Sequence, residues 1–519
     1  MTHCTYQLQV VVFSINDQIS HFHYLMRANL VTIPRFTTRN YAVFLKRSKF
    51  LTDLCVTLHD RDENQLSEQL KMLTSWSGEI IPEYGHKRLT LNLYFERESS
   101  FGLLFDLPNI LTKNQTRLSI YVHDADTDSV IPLESLYPYI AYLECKLADT
   151  MVTPNLFDSS RLRHLLVNWA ADVPTHQSMI SEGLVDLTLV GMPASSKVCL
   201  RHLSSLKKLH LDNCYLSSQF INCLPDDLKQ LRLYCCQVEP PSIVLPSHLV
   251  SFIFVADPMP SKFVQIENPE KLSCLSNVAV NSSLFEPNDG SNLASIRAFL
   301  LSSPTAIETL QLIIMPFMKC TLDPDSTFYA WSDPCRFSQL KKLTLSCINV
   351  LVPQFNLCLI PQSVQILKLN IKMHKLSGHF SENIHHLDIN LSAYDDCFET
   401  FWNGFASPLE LQSLRTRVKE CELIDMRSFN FKKLNKFHLT IVGFPNVDIS
   451  TTTIMIGDVP NSVNLRLSYK EIIDRGSTNH HTIQVSSVLK SSASFEVDPE
   501  SNFIWFDSES DASTTPEAS

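Results

Sequence analysis

Two groupings of side chains in this sequence have residue types suited to chemistry. Cys214, Cys223, Cys235 and Cys236 crowd into one short stretch, and gathered thiolates are common ligands of zinc. His210 with Asp212, and His386 with Asp388, stand two residues apart. On a strand that spacing puts an imidazole and a carboxylate on one face, where they could meet. Neither grouping is complete. The cysteines lack zinc-type spacing, no C-x-x-C occurs anywhere, and alternation sends adjacent Cys235 and Cys236 to opposite faces. The thiols read as buried structural groups, with a metal cluster as the alternative. The His–Asp pairs have no nucleophile or third orienting group beside them, so they read as surface pairs. The doublets His385–His386 and His480–His481 are poor metal sites for the same reason of alternation. The chain also lacks G-x-S-x-G, H-E-x-x-H, P-loop and G-x-G-x-x-G patterns. It reads as a non-enzyme, with no cofactor.

Composition narrows the class. Of 519 residues, 44% are apolar and 19% charged, enough to fold around a large core. The net charge of −11 gives no general attraction to nucleic acid or to an anionic membrane. Glycine is scarce at 11 residues, roughly 2% against a usual ~7%. That disfavours folds in which backbone must approach phosphate. The amino terminus has no basic region ahead of its short apolar run, Leu8 to Phe13, and no apolar stretch is long enough to span a bilayer. With 15 cysteines, an odd number and no paired framework, the chain reads as a cytoplasmic or nuclear protein with reduced thiols. The sequons at Asn114, Asn281 and Asn390 then read as chance matches.

What must position these residues is a periodic array. The stretch Leu228-Lys-Gln-Leu231-Arg-Leu233 is one copy of L-x-x-L-x-L; others start at Ile140, Leu162, Leu184, Leu206 and Leu249. Successive copies are separated by 22, 22, 22, 22 and 21 residues, a period that signals a solenoid. Looser copies start at Leu51, Ile307, Leu340, Val364, Ile384 and Leu434, and the register is ambiguous at Leu275, Leu411 and Val463. Alternation in L-x-L predicts a short strand with leucines on one side, buried only when the next coil covers them. Pro225, Pro246, Pro361 and Pro460 precede four of these strands, where a missing N–H harms no ladder. A 22-residue coil leaves room only for short helical or extended segments opposite the sheet; longer units such as 275–340 can hold a true helix.

The pattern resembles the leucine-rich repeat family, whose consensus L-x-x-L-x-L-x-x-N/C is met through its last position at Cys214 and Cys236. Other copies carry Ala170, Met192, Asp257, Ile348 or Lys372 there. The irregular copies with L-P-x-x-L openings look like the repeat proteins of yeasts, several of which are F-box proteins. The resemblance implies an α/β leucine-rich repeat solenoid, a horseshoe with a parallel concave sheet and mostly short helical or extended convex segments. It implies residues 1–50 as a cap or divergent first repeats, 51–490 as the solenoid (most regular at 140–255), and 491–519 as an acidic, serine-rich disordered tail. Within the cap, Gln18–Leu30 has helical spacing of apolar residues. In the tail, Ser508, Ser510 and Thr515 are conceivable phosphorylation sites.

Residues between the repeat leucines should line the concave face: Lys208, His210, Asp212, Gln230, Arg232 and Tyr234 in the regular block, and Lys342, Lys368, His386, Asp388, Lys436 and His438 farther on. Cations and amides outnumber carboxylates there, although the chain is acidic. The leading reading is a monomeric, non-enzymatic module that binds an acidic or polar partner protein on this face. The alternatives are a scaffold, an F-box-like substrate receptor meeting a Skp1-type adaptor, or a GTPase or phosphatase regulator. An F-box would begin with a Leu-Pro-led helical segment, and residues 1–50 lack that opening.

Overall fold

The computed structural model describes residues 162–169, 182–194, 198–240, 242–255, 265–284, 296, 298–302, 307–316, 320–321, 337–391, 411–419, 423–426 and 433–443. Outside these it describes the strands named below. Two compact units result, Met1–Pro246 and Ser247–Ser519.

The first unit contains β1 Gln9–Val11, β2 Leu30–Ile33, β3 Asp53–His59, β4 Arg88–Phe95, β5 Thr116–Val122, β6 Ile140–Leu147, β7 His164–Trp169, β8 Asp186–Val190, β9 Lys208–Asp212, β10 Tyr215–Leu216, β11 Gln230–Tyr234, β12 Gln237–Val238 and β13 Ser242–Ile243. From β1 to β9, and on to β11, each strand pairs parallel with the next. The 22-residue period becomes register: Leu165, Leu187, Leu209 and Leu231 stand abreast, as do Val167, Leu189, Leu211 and Leu233. All of these are at most 2% exposed. Burying each such side chain contributes about 1.5–3 kcal/mol, and no coil can do so without its neighbours.

The corners are as regular as the columns. The carbonyl of Arg163 accepts from both Val185 and Asp186 N–H groups, that of Val185 from Lys207 and Lys208, and that of Lys207 from Lys229 and Gln230. One oxygen per coil thus satisfies two donors of the next. Pro225 lies outside the strand, as expected, and opens a hydrogen-bonded turn: Leu228 N–H donates to Pro225 O at 3.2 Å. This turn drops Leu228 into the core at 0% exposure.

After each strand the chain reverses through a left-handed residue: Gly191 (φ 70°), Asn213 (φ 50°) and Cys235 (φ 50°) in successive coils. Gly191 and Asn213 donate their N–H groups to Asp212 O and Tyr234 O of the following coil. The next position, Met192, Cys214 or Cys236, is buried. The Cys214 thiol donates to Leu189 O at 3.2 Å and the Cys236 thiol to Leu211 O at 3.3 Å. Beyond this corner, β10 and β12 form a second, short parallel pair, and Ser217 caps the four-residue α1, Ser218–Ile221.

The second unit contains β14 Ser251–Val255, β15 Gln265–Ile266, β16 Asn277–Leu284, β17 Thr309–Pro316, β18 Cys320–Thr321, β19 Lys342–Asn356, β20 Ile366–Ser377, β21 His386–Leu391, β22 Ser413–Lys419, β23 Leu423–Met426, β24 Lys436–Gly443, β25 Thr451–Ile456, β26 Asn464–Glu471, β27 Thr482–Ser487, β28 Ser494–Val497 and β29 Asn502–Asp507. One parallel ladder runs through β14, β16, β17, β19, β20, β21, β22, β24, β26 and β28. A second parallel ladder joins β23, β25, β27 and β29. The long strands β19 and β20 stay paired across a register shift between Ser346 and Leu351. The two-N–H carbonyl recurs at Val250, Ser276, Glu308, Lys341, Gln365, His385 and Gln412. Aliphatic and aromatic residues again form columns, Ile389 and Leu439 in one of them, with Thr416 between them.

These findings refine the expectations. The parallel, leucine-lined solenoid is present in each unit. The α/β description needs correcting toward β: among the described residues helix is confined to α1, short 3-10 turns at Pro269–Lys271 and Leu357–Leu359, and positions 296 and 298–302. The physical reason is the short coil, which returns through turns and extended chain. The last of these helical segments lies inside 275–340, the stretch expected to hold one. Leu30, the last residue of the expected helix Gln18–Leu30, instead begins β2, and the rest of that segment lies outside the described residues. β28 and β29 fall inside the segment 491–519 expected as a tail, so regular structure extends to Asp507. Residues 508–519, with Ser508, Ser510 and Thr515, lie outside the described residues.

Candidate functional site

Strand alternation leaves every second side chain on the solvent face of each ladder. In the first unit this face carries Asp186 and Thr188 on β8, Lys208, His210 and Asp212 on β9, and Gln230, Arg232 and Tyr234 on β11. Gln230 stands beside Lys208, Arg232 beside His210, and Tyr234 beside Asp212. The six residues expected in this block are therefore brought together. A depression of about 190 Å³ lies among Asp186, Thr188, Lys208, Leu209, His210, Gln230 and Arg232.

Its electrostatics are mixed. The Asp186 carboxylate lies 3.6 Å from His164 Nδ1 and 3.9 Å from Lys208 Nζ. Such half-exposed pairs contribute about 0–1 kcal/mol, but they partly neutralise Lys208. His210 packs against the Tyr234 ring at a centroid distance of 5.0 Å. Its Nε2 is buried without a hydrogen-bond partner. Burial is the largest influence on this imidazole and pushes its pKa below the ordinary value; Asp212 and Asp186 pull the other way and Arg232 reinforces the drop. His210 is thus held toward the neutral form.

The cysteines are corner pieces and stand apart from this depression. Cys236 is pushed up strongly, first by the Cys214 thiol beside it and then by burial, so it stays a protonated donor. Among the described residues no group of three His, Cys, Asp or Glu side chains could hold a metal ion.

In the second unit Lys342 stands in register with Ile366, and Lys368 with Thr344 on one side and Asp388 on the other. His386 aligns with Ser413, Asp388 with Arg415, Lys436 with Ser413, and His438 with Arg415. The residues expected here also share one face, but two central ones were missed. Arg415 and Arg417 on β22 alternate with the buried Leu414, Thr416 and Val418. The available signal was the alternation S-L-R-T-R-V. Thr416 hid it, because a threonine occupies the place of the third leucine. A polar file runs beside them: Asn390 Nδ2 donates to Asn370 Oδ1 at 2.9 Å, and Asn370 Nδ2 to Ser346 Oγ at 3.2 Å.

No family model matches the chain, and no curated protein matches it. Among solved structures it is similar to CroV588, described as a novel circular LRR protein, with a TM-score of 0.37 and 11% identity over 95% of this chain and 86% of that one. The fold assignment stands on the strand ladders themselves. Among the described residues no helix is long and apolar enough to cross a membrane.

Proposed function

We propose that this protein is a non-enzymatic interaction module that binds another protein on the solvent face of its parallel sheets. One observation carries the reading: consecutive coils place Lys208, His210, Asp212, Gln230, Arg232 and Tyr234 abreast over a rigid floor of buried leucines. Within the second unit, Lys342, Lys368, His386, Asp388, Lys436 and His438 share a solvent face of that unit's own ladder. A floor that rigid loses little entropy when a partner docks. The lining of the depression offers one carboxylate, two fixed cations, an amide and a largely neutral imidazole, a set suited to recognising polar and acidic side chains.

The test is affinity capture from cells with the wild type and with Arg232→Glu/Lys208→Glu. Loss of captured partners supports the assignment of this face; an unchanged set of partners refutes it for the first unit. Substrate recognition within a ubiquitin ligase is a narrower form of the same reading. Co-purification of a Skp1-type adaptor would support it, and its absence from the captured set would remove it.

A further inference from the structure

We infer that the solvent face of β21, β22 and β24 is a docking site for an acidic peptide segment of a protein partner, held by Arg415, Arg417 and Lys436. The inference rests on the interaction-module reading and specifies the chemistry of one stretch of that surface.

Register sets the geometry. Arg415 lies between Asp388 and His438, Arg417 between Asn390 and Thr440, and Lys436 beside Ser413. Neighbouring strands are about 4.8 Å apart and alternate residues on one strand about 6.7 Å apart. The three cations therefore gather over two adjacent strands. None of them makes an ion pair with a described residue. Lysines elsewhere behave otherwise: Lys207 meets Asp227 at 3.6 Å, Lys208 meets Asp186 at 3.9 Å, and Lys341 meets Glu308 at 3.0 Å. In a chain of net charge −11, carboxylates are plentiful, yet no described carboxylate forms an ion pair with these three cations.

The occupant follows from charge and spacing. A guanidinium fork matches a carboxylate with two parallel hydrogen bonds. An extended peptide presents alternate side chains about 6.7 Å apart, the spacing between Arg415 and Arg417. Acidic residues two apart on such a peptide can thus reach both arginines, with Lys436 on the next strand taking a further carboxylate. A single-stranded nucleic acid fits less well. Such ligands need flat rings for base stacking, and this face offers two imidazoles, His386 and His438, but no phenyl, phenol or indole.

The floor beneath the patch is consistent with a site. Thr416, between the two arginines in sequence, is 0% exposed with its hydroxyl unpartnered. Local violations of good packing tend to gather where a chain serves something besides stability.

Fluorescence anisotropy on the full chain tests the inference. The probes are a labelled twelve-residue peptide of alternating Glu and Ser and a labelled oligothymidylate of equal length. The expected result is saturable peptide binding that weakens with salt and falls about tenfold or more in Arg415→Glu/Arg417→Glu. The milder Arg415→Gln/Arg417→Gln, checked for wild-type circular dichroism, should also weaken binding. Equal peptide affinity in wild type and both β22 variants overturns the inference, as does failure of the wild type to bind the peptide or tighter binding of the oligothymidylate. If partner capture depends on Arg232 and Lys208 while peptide binding ignores Arg415 and Arg417, this inference fails and the wider reading stands.

Discussion

Replacing Thr416 by valine should stabilise the second unit. Thr416 lies in a column between Ile389 and Leu439, is 0% exposed, and leaves its hydroxyl without a partner. Valine has nearly the same outline, so no cavity opens. A buried, unsatisfied polar group costs about 1–3 kcal/mol, and the exchange should recover about 1–2 kcal/mol of it. With a urea slope of about 2 kcal/mol/M, the midpoint should rise by about 0.5–1 M. Because coils of a solenoid can unfold in parts, hydrogen exchange of the peptide containing 413–419 is the better local assay, and its protection should increase. Thr416→Ser is the control: it keeps the hydroxyl, removes a methyl group and should lose about 1 kcal/mol. If valine proves neutral or destabilising while serine is no worse than wild type, the hydroxyl is satisfied in solution and the reasoning is refuted.

Three further outcomes are expected. Gly378→Ala should lower stability by about 2 kcal/mol or more, because φ is +81° and a new Cβ would lie 2.7 Å from Cys358 Sγ and 2.9 Å from Asn356 Oδ1; thermal melts should show the loss. Cys235→Gly should raise stability slightly, by roughly 0.5–1 kcal/mol, since Cys235 occupies the left-handed corner that Gly191 fills two coils earlier; a lower melting temperature would show that the Cys235 side chain contributes more than its backbone costs. His210 has a depressed pKa in the folded state, so its contribution is present above the unfolded value near 6.5 and lost as pH falls through the folded value. Denaturation midpoints should therefore fall on acidification from pH 7, and His210→Asn should flatten that slope.

The columns were legible in the sequence because leucine spacing and strand register are one quantity seen twice. Leu187, Leu209 and Leu231 are 22 residues apart, and each stands beside the next. The corner thiols were legible too, since Cys214 and Cys236 recur at one position and both donate to carbonyls. The second ladder of β23, β25, β27 and β29 was not: stretches such as Thr451–Ile456 and Thr482–Ser487 carry no leucine triplet, and their pairing depends on how far each coil extends past its corner. Arg415 and Arg417 were missed because pattern reading locates the solvent face from the buried one, and Thr416 interrupts the buried face. The α/β label came with the family resemblance, whereas the 22-residue period itself pointed to the turns and extended chain through which the described coils return.

The shared carbonyl at the start of each strand has an evolutionary corollary. Val250 O, Ser276 O, Glu308 O and Lys341 O each accept from two consecutive N–H groups of the next coil, although the separations from one to the next are uneven. Because the anchor sits at the strand start, the remainder of a coil can gain or lose residues without shifting its neighbours. Such a chain can diversify by loop grafting on its far side, and a descendant could change that rim wholesale while its lattice of anchors persists.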